Sequence, residues 1–200
     1  MPHVYGDIYS GNCYKVKLLL AQLGIAHTWE HVDILGGATH TPEFLAMNPN
    51  GRIPLVRLDD GCLLAESNAI LNYFAADTAL LPTDRYLHAL VLQWQFFEQY
   101  SHEPYIATPR YIVRYLGNPP ARQQELAERR PRGYDALNVM EHHLADADFF
   151  VGGQYTIADI SLYAYTHVAP EGGIALDDFP RIRAWLDRVA AQPDHVPMAP

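Results

Sequence analysis

The hydrophobic periodicity changes near residue 80, and this change constrains the fold more than any other feature of the sequence. Before that point, short β-leaning runs alternate with helical ones in the order β-α-β-α-β-β-α. After it, the apolar spacing is helical almost to the end of the chain. The sequence therefore predicts an α/β domain over residues 1–78 and an all-helical domain over residues 85–200.

The connections within the first domain predict how its strands pair. A helix between the first two strands favours a parallel pair, and Asp60-Gly61 predicts an antiparallel hairpin between the last two. We therefore expect a mixed four-stranded sheet with helices packed on it. The predicted strands are 3–8, 28–34, 53–58 and 63–64, and the predicted helices of this domain are 13–23, 42–47 and 67–76.

Composition and charge exclude several classes of protein. Hydrophobic residues make up 49% of the chain, which is enough apolar material for a real core. The net charge of −9 and the lack of a basic tract argue against nucleic-acid binding. No apolar run is long enough to span a membrane, no secretory signal is visible, and Cys13 and Cys62 lack metal-ligand spacing. We expect a cytoplasmic protein without a metal.

A capping box accounts for the acidic residue at the start of one predicted helix. In Thr156-Ile157-Ala158-Asp159, the threonine hydroxyl bonds the N–H of Asp159, and the carboxylate returns to the N–H of Thr156. This local role explains Asp159 without a catalytic function.

Two further signals leave alternatives open. Ile53-Pro54 is either a simple strand start or, if the bond is cis, a backbone edge able to pair with a peptide-like ligand. Ser67 is either an N-cap or part of a site where a helix N-terminus holds a carboxylate and Glu66 holds an ammonium group. A zwitterionic amino-acid head requires both partners together.

Taken together and in this order, these motifs resemble the cytosolic glutathione transferase family along the whole chain. The residues that carry the resemblance are Ser10-Gly11-Asn12-Cys13, the run from Thr41 to Pro54, Glu66-Ser67-Asn68-Ala69-Ile70, and the capping box behind Gly152-Gly153. The resemblance implies a thioredoxin-like domain followed by a helical domain. It also implies glutathione as co-substrate and, usually, a homodimer.

The resemblance also implies which residues hold glutathione. Ile53, followed by a cis Pro54, is the backbone partner of the cysteinyl unit. Glu66 and Ser67 hold the γ-glutamyl head, and Arg52 and Thr39 stand where other members contact the glycyl end.

The turn before the first helix contains the candidates that face the sulfur, Ser10 and Asn12. Lowering a thiol pKa from about 8.5 by about two units requires about 2.7 kcal/mol. A hydroxyl hydrogen bond to a charged acceptor supplies about 1.5–3 kcal/mol, and a helix N-terminus adds about 0.3–1 kcal/mol. Cys13 is the alternative as an activated thiol. Lys15 and Lys17 lie in the same predicted helix. They are interpreted either as a solvated helix face or as positive charge that offsets the net negative charge of the chain near anionic glutathione.

The helical domain is expected to bind a hydrophobic electrophile. Tyr100, Tyr105 and Arg110 are the candidate pocket residues, because Pro104 and Pro109 would kink their helix and open its face.

The resulting prediction is a glutathione transferase that forms a thiolate and acts in detoxification. The alternatives are a glutathione-dependent peroxidase, disulfide reductase, isomerase or dehalogenase, and a non-catalytic module of the same fold that binds proteins.

Overall fold

The computed structural model describes residues 1–199 and divides the chain into two compact units. The first unit comprises residues 1–76 together with the segment from Pro193 onward, and the second comprises residues 77–192. The sequence-based division assigned the C-terminal residues to the helical domain, but the contacts place them with the first unit.

Hydrogen bonds to the first helix explain the place of the C-terminal segment. The hydroxyl of Tyr14 donates to the carbonyl of Val196 at 2.8 Å, and Lys17 Nζ donates to the carbonyls of Pro197 and Met198 at 2.9 and 3.1 Å. These distant contacts leave no periodic signal in the sequence.

The strands within residues 1–199 form a four-stranded mixed sheet in the order β2-β1-β3-β4. The strands are β1 (His3–Gly6), β2 (Thr28–His31), β3 (Leu55–Arg57) and β4 (Leu63–Ala65). β1 pairs parallel with β2 and antiparallel with β3, and β3 pairs antiparallel with β4. Both predicted pairings and the predicted fold class are confirmed, although β1, β2 and β3 are shorter than the predicted runs and β4 is one residue longer.

Alternation along the strands distributes the core of the first unit over both faces of the sheet. Its helices are α1 (Gly11–Gln22), α2 (Pro42–Met47, capped by the Thr41 side chain) and α3 (Ser67–Ala75). Val4 and Val56 pair across the sheet and pack with Val16 and Leu20 of α1 and Ile70 of α3. The next residues along the strands point to the opposite face, where Tyr5 and Leu55 pack with Val32 and Phe44.

The second unit is helical, as predicted. Its helices are α4 (Arg85–Phe97), α5 (Glu103–Arg110), α6 (Gln123–His143), α7 (Ile157–Thr166) and α8 (Pro180–Ala190). Wider π-type turns over Glu98–His102 and Tyr111–Tyr115 flank α5, which contains Pro104 and Pro109. All residues of α7 are buried, so this helix forms the centre of the unit.

The predicted capping box is present at the start of α7. Asp159 accepts hydrogen bonds from the Thr156 amide at 3.0 Å, the Phe150 amide at 3.1 Å and Trp185 Nε1 at 2.9 Å. Burial raises the pKa of the Asp159 carboxyl to about 6, against the lowering effect of these hydrogen bonds. Asp159 therefore links α7 to α8 and to the preceding loop.

No helix among residues 1–199 combines the length and the apolar character needed to cross a bilayer.

Candidate active site

The side chain of Ser10, at the N-terminus of α1, forms its hydrogen bonds with Cys13. Ser10 is the N-cap residue, and its Oγ accepts a hydrogen bond from the Cys13 amide at 3.4 Å. That bond uses a lone pair of the oxygen, so the O–H proton is not consumed by capping. Capping and a bond to a sulfur anion are therefore compatible at this residue.

The thiol of Cys13 lies in the interior of the first unit. The side chain is 0% exposed, and burial raises the pKa of the Cys13 thiol to about 12, against the lowering effect of hydrogen bonds from Ser10 and Asp7. A thiol with this pKa contains almost no thiolate at neutral pH. The structure therefore disfavours Cys13 as the nucleophile.

A chain of hydrogen bonds joins α1 to the N-terminus of α3. Ser67 Oγ donates to Asn12 Oδ1 at 3.1 Å and accepts from Lys15 Nζ at 3.3 Å. Ser67 is 5% exposed and Lys15 is 0% exposed. The structure thus brings the predicted thiol-facing turn and the predicted γ-glutamyl site into direct contact. Lys15 does not belong to a solvated face.

Glu66, not Ser67, occupies the N-cap position of α3. Ser67 is already the first helical residue, and its hydroxyl faces α1 instead of the helix terminus. Glu66 is exposed and has a φ of 68°, an uncommon value for a residue with a side chain. Its Oε1 accepts a hydrogen bond from Asn50 Nδ2 at 3.4 Å. The carboxylate is thereby held beside the loop that leads into β3.

That loop ends in the cis Ile53–Pro54 peptide bond that the resemblance implies. Ladder pairing of β3 begins only at Leu55, so the backbone of Ile53 lies outside the sheet ladder. The loop itself is held by Asn48, whose Nδ2 donates to the Arg52 carbonyl at 2.8 Å. Asn48 and Asn50 were not predicted as site residues, although asparagines around a proline and a glycine are typical of an ordered turn.

The two residues predicted for the glycyl end differ in exposure. Arg52 is exposed, whereas Thr39 is 5% exposed. The neighbouring His40 is exposed, and its Nδ1 lies 2.9 Å from the position that a Cβ on Gly51 would take. The exposed imidazole of His40, and not the Thr39 side chain, therefore borders the loop that carries Arg52.

The three residues predicted for the second substrate are not brought together. Tyr100 is 85% exposed. Arg110 is buried, and its Nε lies 2.9 Å from a carboxylate oxygen of Glu171. Tyr105 lies in an open cleft of about 580 Å³ within the second unit, where its hydroxyl accepts a hydrogen bond from Arg132 Nη1 at 2.9 Å. The two π-type turns lie on either side of α5, which contains both prolines.

No cluster of three or more histidine, cysteine, aspartate or glutamate side chains able to hold a metal occurs in residues 1–199.

Comparison with known proteins decides the family. The model of the glutathione S-transferase N-terminal domain matches residues 9–77, and that of the C-terminal domain matches residues 93–193. The chain belongs to the glutathione S-transferase family. This confirms the predicted family and fold class. The matched residues of the N-terminal model include the Asn12–Ser67 contact and the cis Ile53–Pro54 bond.

Individual known proteins resemble this chain over nearly its whole length. A glutathione S-transferase structure from Pseudomonas fluorescens is 56% identical, covers 98% of both chains and superposes with a TM-score of 0.97. Glutathione S-transferase 3 of Zea mays is 32% identical over 95% of this chain and 89% of its own. Maleylacetoacetate isomerase of Pseudomonas aeruginosa is 30% identical over 95% of this chain and 92% of its own.

Proposed function

We propose that this chain binds glutathione through its first unit and uses the glutathione sulfur to attack a hydrophobic electrophile. The hydrogen bond between Ser67 and Asn12 carries the proposal. It places the helix terminus suited to an amino-acid head next to the turn suited to a thiolate.

The γ-glutamyl head is assigned to the start of α3. The N-terminus of this nine-residue helix offers N–H donors and the positive end of its dipole to a carboxylate. Glu66, held by Asn50, offers an anion to the neighbouring ammonium group. The positive φ of Glu66 supports a functional role, because such conformations persist where surrounding structure holds them.

The rest of the tripeptide is assigned to the loop before β3. The Ile53 backbone, left outside the ladder, is the partner of the cysteinyl unit. Arg52 faces the glycyl carboxylate, and we assign His40 to this end in place of the buried Thr39.

Ser10 and Asn12 are assigned to the sulfur. Their hydrogen bonds and the dipole of α1 favour the thiolate, so the thiol proton passes to solvent before attack. The sulfur electron pair then forms the new carbon–sulfur bond. In a substitution, a leaving group departs with its bonding electrons; in an addition, the product carbanion takes a proton. Such conjugation serves detoxification of electrophiles.

Calorimetric titration with glutathione tests the binding site. We expect Glu66→Gln to weaken binding by about 10-fold or more, the effect of one hydrogen bond to a charged group. Glu30→Gln is the matched control, because Glu30 is an exposed acid of the same unit that contacts His3. Absence of binding by the unmodified protein at millimolar glutathione would overturn the proposal.

The known activities of similar proteins indicate which reactions should be assayed alongside the glutathione titration. The similarity to a maleylacetoacetate isomerase favours a second candidate, glutathione-dependent cis–trans isomerisation. An aryl halide, a hydroperoxide, a mixed disulfide and a cis-enone dicarboxylate separate transfer, peroxidase, reductase and isomerase activity. Binding of glutathione without turnover of any of them identifies a non-catalytic module.

We further propose that two copies of the chain associate through α4. Tyr86, Phe96 and Tyr100 are 70%, 68% and 85% exposed. With the exposed Ala89 and Gln93, Tyr86 and Phe96 form one stripe at helical spacing on α4, and Tyr100 follows in the adjoining π-type turn. Phe96→Glu should shift the sedimentation coefficient to that of a monomer. Val139→Glu, which alters an exposed apolar residue of α6, should not.

A further inference from the structure

The polarity of the hydrogen-bond chain Lys15–Ser67–Asn12 follows from the chemistry of its first member. An ammonium group has only donors, so Ser67 Oγ must accept from Lys15 Nζ at 3.3 Å. The single hydroxyl proton of Ser67 is then directed to Asn12 Oδ1 at 3.1 Å. Every bond of the chain therefore runs from Lys15 towards Asn12.

This polarity determines which edge of the Asn12 amide faces Ser67. An isolated asparagine amide can turn either its oxygen or its nitrogen towards a hydroxyl. Here the hydroxyl arrives as a donor, so the amide oxygen takes that position. The opposite edge of the same amide then carries the two N–H donors, the groups that stabilise an anion.

The hydrogen bonds from Lys15 through Ser67 to Asn12 are buried in the first unit, and this burial strengthens their effect on the orientation of the Asn12 amide. Lys15 is 0% exposed and Ser67 is 5% exposed, so water has little access to replace either of them. Asn12 and Lys15 are three residues apart on α1, which places them on the same side of the helix. The orientation of the amide is thus set by a residue buried one turn further along the helix.

We propose that Lys15 is a positioning residue that, acting through Ser67, turns the N–H edge of Asn12 towards the glutathione sulfur. This inference rests on the proposed function, since it specifies how Asn12 becomes a donor to the thiolate. Lys15 itself does not contact the sulfur in this proposal.

The test is an ultraviolet titration of the thiolate of bound glutathione. In Lys15→Met, Ser67 is free to reverse its hydroxyl, and Asn12 can turn its oxygen outward. We expect the thiol pKa of bound glutathione to rise by about one unit or more, the effect of one hydrogen bond to a charged acceptor. Lys15→Arg should recover part of the shift. Lys17→Met is the matched control and should leave the thiol pKa unchanged.

A double-mutant cycle separates the relay from a direct effect of charge. If Lys15 acts through Asn12, the Lys15→Met change should add nothing to the thiol pKa of an Asn12→Ala variant. Additive shifts would overturn the proposal. Asn12→Asp supplies a second test that does not depend on folding of the Lys15 variants. It places an acceptor at the sulfur and should raise the thiol pKa above that of Asn12→Ala, and the reverse order would also overturn the proposal.

Failure of this inference is distinct from failure of the proposed function. The function fails if the unmodified protein binds no glutathione. The inference fails if glutathione binds and its thiol pKa is the same in the unmodified protein and in Lys15→Met.

Discussion

Replacing Asp159 by alanine should destabilise the helical unit by a predictable amount. The buried carboxylate accepts hydrogen bonds from the amides of Thr156 and Phe150 and from Trp185 Nε1. Each buried N–H left without an acceptor costs about 1–3 kcal/mol. The same change removes a carboxylate whose raised pKa, about 6, corresponds to about 3 kcal/mol of destabilisation at neutral pH. The net expected loss in the free energy of unfolding is about 3 kcal/mol at neutral pH.

The sign of the pH dependence follows from the direction of the pKa shift. Burial raises the pKa of Asp159 from 3.8 to about 6 in the folded chain. The folded state therefore binds more protons between these values, and the unmodified protein loses stability as the pH rises through 6. The difference in unfolding free energy between the two proteins should be about 1 kcal/mol larger at pH 5 than at pH 7.5.

Urea denaturation followed by circular dichroism at both pH values measures these quantities. Asp148→Ala is the matched control, because its side chain is 77% exposed and the substitution should cost less than about 0.5 kcal/mol. A cycle with Trp185→Phe isolates the bond to the indole and should show coupling of about 0.5–3 kcal/mol. A loss for Asp159→Ala no larger than that of the control, or a loss independent of pH, would refute the reasoning.

Three other predictions concern the two units separately. Glu171→Gln should lower the free energy of unfolding by about 1–3 kcal/mol, because buried Arg110 loses a charged partner. Activity towards anionic electrophiles should show no selective loss. A selective loss would indicate that Arg110 binds the substrate. Cys13→Ala should retain the kcat and pH profile of the unmodified protein, and loss of turnover would identify Cys13 as the nucleophile. Mass spectrometry should show that iodoacetamide modifies the exposed Cys62 but not the buried Cys13. Burial lowers the pKa of His195 below 6.5, so protonation at acidic pH favours release of the C-terminal segment from α1. Hydrogen exchange in 193–199 should therefore rise as the pH falls below 6.5, after correction for the intrinsic rate; constant protection would contradict this.

Local signals account for the parts of the fold that sequence analysis predicted well. The bounds of α2 agree with the structure, because Thr41 as a capping residue and Pro42 at the first position define a helix start locally. The same holds for the capping box at Thr156 and Asp159. The Asp60-Gly61 turn determined an antiparallel pair for the same reason.

Predictions that depended on burial were less successful. Lys15 lies inside the first unit, although a lysine in a helix is usually solvated. Arg110 pairs with Glu171, a residue 61 positions away that no local pattern connects to it. Thr39 is buried while its neighbour His40 is exposed, a difference that the pattern of a short irregular segment does not reveal.

The sequence by itself determined the order of elements in the first unit, two of the three strand pairings, the caps at Thr41 and Thr156 and the set of motifs that identify the family, because each depends on residues close together in the chain. Only the tertiary structure decided that Ser67 faces Asn12, that Lys15 donates a hydrogen bond to Ser67 and that the C-terminal segment contacts α1. These contacts join residues 52 to 182 positions apart, and a hydrogen bond across such a distance depends on how whole elements pack. The sequence therefore supplies the residue types of the proposed site, and the packing of whole elements brings those residues into contact.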